Sequence, residues 1–161
     1  EIVYANFSSS PHDKSLGNED YMFIGRDREL AELDKLYNSD KFELVVIYGR
    51  RRVGKTALIN YFIDDKNAIY FMGVESNEKQ NLENMSRSIL EYGNGISSDN
   101  CFASYQAALE YVFELSGTER VILAIDEYPY VARESKSLPS TLQLLIDKYK
   151  DTSKLMLILC G

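Results

Sequence analysis

Phe42-Glu43-Leu44-Val45-Val46-Ile47-Tyr48, followed without a break by Gly49-Arg50-Arg51-Arg52-Val53-Gly54-Lys55-Thr56, is the stretch on which the fold turns. The apolar run reads as a buried strand, and the residues after it fit the pattern G-x-x-x-x-G-K-[ST]. Ala57-Leu58-Ile59-Asn60-Tyr61-Phe62-Ile63 then supplies the first turns of a helix. A strand, a glycine-bounded loop and a helix in that order make a cradle for polyphosphate, because successive backbone N–H groups and the positive end of the helix together attract a dense anion. Gly49 and Gly54 keep the backbone path clear, with Val53 and Ala57 completing the wrap around the phosphates. Lys55 is expected to place its ammonium among the outer phosphates. The Thr56 hydroxyl suits Mg2+, a hard cation that prefers oxygen. A plain turn between strand and helix has no need of Lys-Thr after its second glycine, so the pattern implies nucleotide binding.

A second segment says what kind of site this is. Val121-Ile122-Leu123-Ala124-Ile125 is an unbroken apolar run of the kind found in strands covered on both faces, and it ends in Asp126-Glu127. In an open parallel sheet, ligands gather at the carboxyl ends of the strands, so this acidic tip and the phosphate loop should share one rim. Asp126 is expected to hold Mg2+, and Glu127 to orient and deprotonate an attacking water. The alternative is an ordinary acidic strand end, which the loop upstream disfavours.

The consecutive arginines Arg50, Arg51 and Arg52 admit two readings. A cleft of one sign concentrates anions, so they suit steering of a nucleotide or of an acidic partner surface; they also suit plain solvated loop positions.

Four segments together resemble a known family: Phe23-Ile24-Gly25-Arg26-Asp27-Arg28-Glu29-Leu30, the phosphate loop, Ile125-Asp126-Glu127-Tyr128-Pro129-Tyr130, and Leu157-Ile158-Leu159-Cys160-Gly161. In this order they resemble the archaeal-type ATPases of the AAA+/STAND group of P-loop proteins, over Met22 to Gly161. The resemblance implies a three-layer α/β domain with a mostly parallel sheet, in strand order 5-1-4-3-2, that binds ATP and Mg2+. It also implies that Ile24, Gly25 and Arg26 lie beside the adenine. Asp27 and Glu29 equally suit the start of an amphipathic helix whose Leu30, Leu33, Leu36 and Tyr37 face the core. Relatives commonly carry a Thr or Ser sensor of the terminal phosphate where Cys160 stands, which leaves that role open. The resemblance leaves room for a homo-oligomer or a protein partner, and for nucleic-acid contacts through regions beyond this segment.

The remaining composition fits one cytoplasmic domain. With 161 residues and 45% hydrophobic content, one sizeable core is expected. The net charge of −7 gives no electrostatic footprint for nucleic acid. Cys101 and Cys160 lack metal-ligand spacing, which suits a reducing compartment, and the single histidine, His12, sits in a polar run. No stretch approaches a membrane span, and no secretory signal opens the chain.

Between the two acidic and glycine-rich landmarks the pattern alternates strand and helix. Ala68-Ile69-Tyr70-Phe71-Met72 reads as a core strand. Helices follow that carry Leu82, Met85 and Ile89, then Tyr105, Ala108, Leu109, Val112 and Phe113, separated by a polar loop at Gly93-Asn94-Gly95 and Ser97-Ser98-Asp99-Asn100. Pro129 is expected to end the strand region, and residues 133–137 to form an exposed connection to a helix bearing Leu142, Leu145, Ile146 and Tyr149. Residues 1–21 read as an N-terminal extension, a tag or a flexible segment, in which residues 2–7 suit a short strand. Residues 22–161 read as the N-terminal part of an ATPase domain truncated after the sensor strand. The absent fifth strand would leave the loop strand at an open edge, prone to association.

These features lead to an ATPase using Lys55 and Glu127 in catalysis and Thr56 and Asp126 on the metal. The competing reading is a nucleotide-dependent switch or scaffold with slow or no hydrolysis. No Asn-Lys-x-Asp guanine-reading segment favours a GTPase, and a glutamate directly after the metal aspartate suits water better than a kinase acceptor.

Overall fold

The computed structural model describes residues 2–7, 26–94 and 100–161. Along the chain these form β1 (Ile2–Phe7), α1 (Asp27–Tyr37), β2 (Glu43–Gly49), α2 (Lys55–Ile63), β3 (Ala68–Met72), α3 (Glu78–Asn94), α4 (Tyr105–Leu115), β4 (Val121–Asp126), α5 (Tyr128–Glu134), α6 (Leu138–Tyr149) and β5 (Leu155–Cys160). All strand pairs are parallel and the order is β1-β2-β5-β4-β3. The β2-β5-β4-β3 portion is the 1-4-3-2 arrangement expected from the sequence.

Strand periodicity divides the sheet's side chains between two cores. Val121, Leu123, Ile125, Leu155 and Leu157 face one layer with residues of α3, α4 and α6. Ile122, Ala124, Met156, Ile158 and Cys160 face the other, with Leu33 and Leu36 of α1 and Leu58, Ile59 and Phe62 of α2. Strands β4 and β5 are buried along nearly their whole length, as strands covered on both faces must be. After β2 the chain passes through α2 to the far strand β3, then returns through β4 and β5 with its helices on the opposite face. The direction of winding therefore reverses between β2 and β5, and such a reversal opens a crevice at the carboxyl ends of the strands.

The structure departs from the sequence reading in three places. Strand β2 is not an open edge: β1 runs parallel to it, with Ile2 opposite Leu44 and Phe7 opposite Gly49. Unpaired N–H and C=O groups along a strand edge are a template for any extended segment, and residues 2–7 satisfy them. Gly93 and Asn94 are not loop but the end of α3. A Cβ on Gly93 would sit 2.8 Å from the Tyr111 hydroxyl, the far end of a half-buried side chain. Finally, Pro129 does not merely stop a strand; it occupies the first turn of α5, where a missing N–H costs nothing. Arg133 and Glu134 belong to that helix, and Ser135 is buried, its hydroxyl donating to Glu78 Oε1 at 2.6 Å.

The end of the sheet opposite the crevice is closed by a half-buried arginine. Arg120 donates to the carbonyl oxygens of Leu36 (2.7 Å) and Lys154 (2.9 Å), and also to that of Lys41. One guanidinium thus ties the end of α1, the entry to β2 and the entry to β5.

Candidate nucleotide site

The loop that leaves β2 is shaped by backbone geometry before any side chain acts. Arg52 and Gly54 both have positive φ, at 64° and 86°, and Gly54 is the N-cap of α2. A left-handed N-cap is natural for glycine and strained for other residues. The space where a Cβ on Gly54 would point holds nothing within 4 Å. The open surface and the exposed N–H groups at the start of α2 make this the place where an anion can approach the backbone.

Lys55 is folded onto its own loop, its ammonium donating to the carbonyl oxygens of Gly49 (2.9 Å) and Arg50 (3.0 Å). Thr56 reaches across to the acidic strand tip and donates its hydroxyl to Asp126 Oδ2 at 2.6 Å. The expected shared rim is therefore realised. Asp126 is 1% exposed, and its Oδ1 accepts the backbone N–H of Glu127 at 2.9 Å. Glu127 adopts a left-handed conformation (φ 52°, ψ 37°) and caps α5. That turn puts its side chain on the wall of the cleft while Asp126 points beneath the loop.

Two partners of Asp126 were not assigned from the sequence. The Tyr70 hydroxyl donates to Asp126 Oδ2 at 3.0 Å, and the buried Cys160 thiol lies close enough to feel the charge of the same carboxylate. Residues 70, 126 and 160 share strand parity with the residues packed on α2, and neighbouring register places β3, β4 and β5 side by side. Burial, and then the negative Asp126, push the Tyr70 phenol well above its usual range; the same causes push the Cys160 thiol up. Cys160 is therefore a buried neutral thiol turned toward the aspartate. The exposed Cys101 is expected to react with a chromogenic disulfide in the native protein, and Cys160 only after denaturation. Release of both thiols at one rate from native protein would contradict this burial.

A further residue without a sequence prediction is Gly73, directly after β3. Its N–H donates to the Asp126 carbonyl at 2.8 Å, and a Cβ there would lie 2.5 Å from Val131 Cγ2 and 2.8 Å from the Glu127 carbonyl oxygen. Only glycine lets β3 come this close to the acidic turn.

A cleft of about 1050 Å³ runs over these groups. Its lining includes Arg51, Arg52, Gly54, Lys55, Thr56, Ala57, Glu127 and Tyr130, and continues down α2 through Asn60, Tyr61 and Asp64. The volume lies just above the ~300–1,000 Å³ usual for small-molecule sites. Arg51 closes one side by donating to the Tyr130 hydroxyl at 2.9 Å. Arg50 is exposed and contributes its carbonyl to Lys55. Arg26 is buried beneath the loop, donating to the Val53 carbonyl and to Glu29 Oε1, both at 2.9 Å. Ile24 and Gly25 lie outside the described residues.

The donor set fits Mg2+. Thr56 and Asp126 are hard oxygen ligands already in contact, and among the described residues the buried carboxylate accepts from the Thr56 and Tyr70 hydroxyls and the Glu127 N–H. A buried charge in that position gains most from a positive ion. Mg2+ takes one or two carboxylates and completes its shell with phosphate and water. No described helix is long and apolar enough to cross a membrane.

Comparison with known proteins agrees with this geometry. A relative from Methanocaldococcus jannaschii, an uncharacterized protein, is 31% identical over 140 residues, covering 87% of this chain and 29% of that one. An uncharacterized ATP-binding protein of the same organism is 49% identical over 45 residues, covering 28% of this chain and 76% of its own. The Walker-type ATPase of Pyrococcus abyssi matches in fold with a TM-score of 0.60 at 21% identity, over 86% of this chain and 45% of that chain. The chain thus spans less than half the length of the first relative and of the solved neighbour. The family described as an ATPase domain predominantly from Archaea matches residues 23–161. With the phosphate loop and the acidic strand tip meeting on one rim, and that match covering most of its length, the chain belongs to this family of archaeal-type ATPase domains.

Proposed function

We propose that the chain binds ATP together with Mg2+ in the cleft and hydrolyses the terminal phosphoanhydride, as a member of the AAA+/STAND group acting in the cytoplasm. The observation that carries this reading is the 2.6 Å contact between Thr56 and Asp126, with Glu127 beside it on the cleft wall. The loop N–H groups and the start of α2 receive the phosphates, and Lys55 leaves the Gly49 and Arg50 carbonyls to pair with them. Thr56 and Asp126 would hold Mg2+, which when bound would supply positive charge against the phosphate oxygens. Glu127 orients a water and accepts its proton as the water oxygen bonds to the terminal phosphorus and the bond to the departing diphosphate breaks. Catalysis of this kind is chiefly positioning and charge stabilisation.

One contact favours the competing reading of a nucleotide switch. The bond from Arg51 to Tyr130 spans the cleft from loop to α5, so an incoming triphosphate competes for Arg51 and releases that helix. Titration with a fluorescent ATP analogue, in Mg2+ and in chelator, tests both readings alongside steady-state phosphate release. Saturable binding with turnover supports the ATPase, whereas retained nucleotide without phosphate release supports the switch. Absence of any ATP binding overturns both.

A further inference from the structure

Asp126 is a buried carboxylate whose orientation is over-determined. Oδ1 is held by the Glu127 backbone N–H at 2.9 Å, and Oδ2 by two hydroxyls, Thr56 at 2.6 Å and Tyr70 at 3.0 Å. The two hydroxyls differ in what they can do. Thr56 sits at the start of α2, half-buried in the wall of the cleft, where it can turn toward a ligand. Tyr70 lies on β3, its ring packed with the apolar core under α2, and does not line the cleft. Its half-buried phenol donates to Oδ2, so it is placed to act through the carboxylate.

We propose that Tyr70 is a positioning residue: its hydroxyl fixes the Asp126 carboxylate so that Oδ2 stays turned toward Thr56, and thereby sets how strongly nucleotide binding depends on the divalent cation. The inference rests on the nucleotide reading above and deepens it. When Thr56 turns to a cation, Tyr70 becomes the remaining side-chain hydroxyl on Oδ2 and keeps the carboxylate from rotating. Groups that hydrogen-bond a ligating carboxylate from behind govern metal affinity in this way. The site had no sequence signature, since a tyrosine within an apolar strand reads as core.

Tyr70→Phe keeps the ring and removes only the hydroxyl, so the fold is retained; a melting curve checks this. The expected result is an unchanged affinity for the fluorescent ATP analogue in chelator, and an Mg2+ concentration for half-maximal nucleotide binding raised by about tenfold. Phosphate release should fall at limiting Mg2+ and recover as Mg2+ is raised. The double variant Tyr70→Phe/Asp126→Asn adds the decisive reading. If Tyr70 acts through Asp126, its removal produces no further shift once the carboxylate is gone. An unchanged Mg2+ dependence in Tyr70→Phe overturns the proposal. So does a shift that persists undiminished in the Asp126→Asn background, or an equal loss of binding with and without the metal. Failure of the parent protein to bind ATP at all is a different outcome and sinks the nucleotide reading along with this one.

Discussion

Glu127→Gln is expected to bind ATP with Mg2+ as tightly as the parent protein and to release phosphate about 10²- to 10⁴-fold more slowly, the range ordinarily supplied by a general base. The side chain stands on the cleft wall beside Thr56 and Lys55, and its backbone is anchored by the N–H bond to Asp126 Oδ1 at 2.9 Å. Glutamine keeps the size of the side chain and can still hydrogen-bond a water, but an amide does not take up its proton. Loss of a negative charge near the triphosphate does not weaken binding. Phosphate release measured at saturating ATP reports the chemical defect, and analogue titration reports the retained affinity. An unchanged kcat would remove Glu127 from the base role.

Lys55→Ala acts on the other side of the ledger between binding and turnover, weakening ATP binding by roughly 10- to 150-fold, the equivalent of about 1.5–3 kcal/mol for a hydrogen bond to a charged group. The lysine bridges the Gly49 and Arg50 carbonyls at 2.9 and 3.0 Å, so it also braces the loop. A melting curve of the ligand-free variant separates these effects: the loop lies at the surface, and its carbonyls can turn to water. The dissociation constant from analogue titration is the deciding measurement. An unaltered constant would show that the ammonium stays on the loop carbonyls when nucleotide arrives.

The sequence carried the elements that physical pattern alone can specify. Residues 49–56 located the loop, because glycine placement and Lys-Thr have a chemical purpose there. The apolar runs located β2, β3, β4 and β5, and helical spacing located the core stripes of α1, α3, α4 and α6. What stayed hidden depends on register. Tyr70 and Cys160 have the strand parity of Asp126, yet nothing in a linear chain says which strands lie beside one another. Arg120 gathers carbonyl oxygens from segments far apart in sequence, and no local pattern announces such a tie. Gly73 simply follows an apolar strand in the sequence, and only the fold sets the Asp126 and Glu127 carbonyls against it. The pairing of β1 with β2 escaped for a related reason. An isolated short hexapeptide has no partner until a neighbouring edge offers one.

The left-handed backbone at Glu127 has a consequence for evolution and engineering. A non-glycine residue at φ 52° carries a penalty of about 1–2 kcal/mol. Glu127→Gly should therefore melt at a higher temperature than the parent while losing turnover, a divergence that a scanning calorimeter and a phosphate assay would register together. Selection for hardiness alone would erode this position, so libraries screened only for heat tolerance will enrich glycine at the residue proposed as the base.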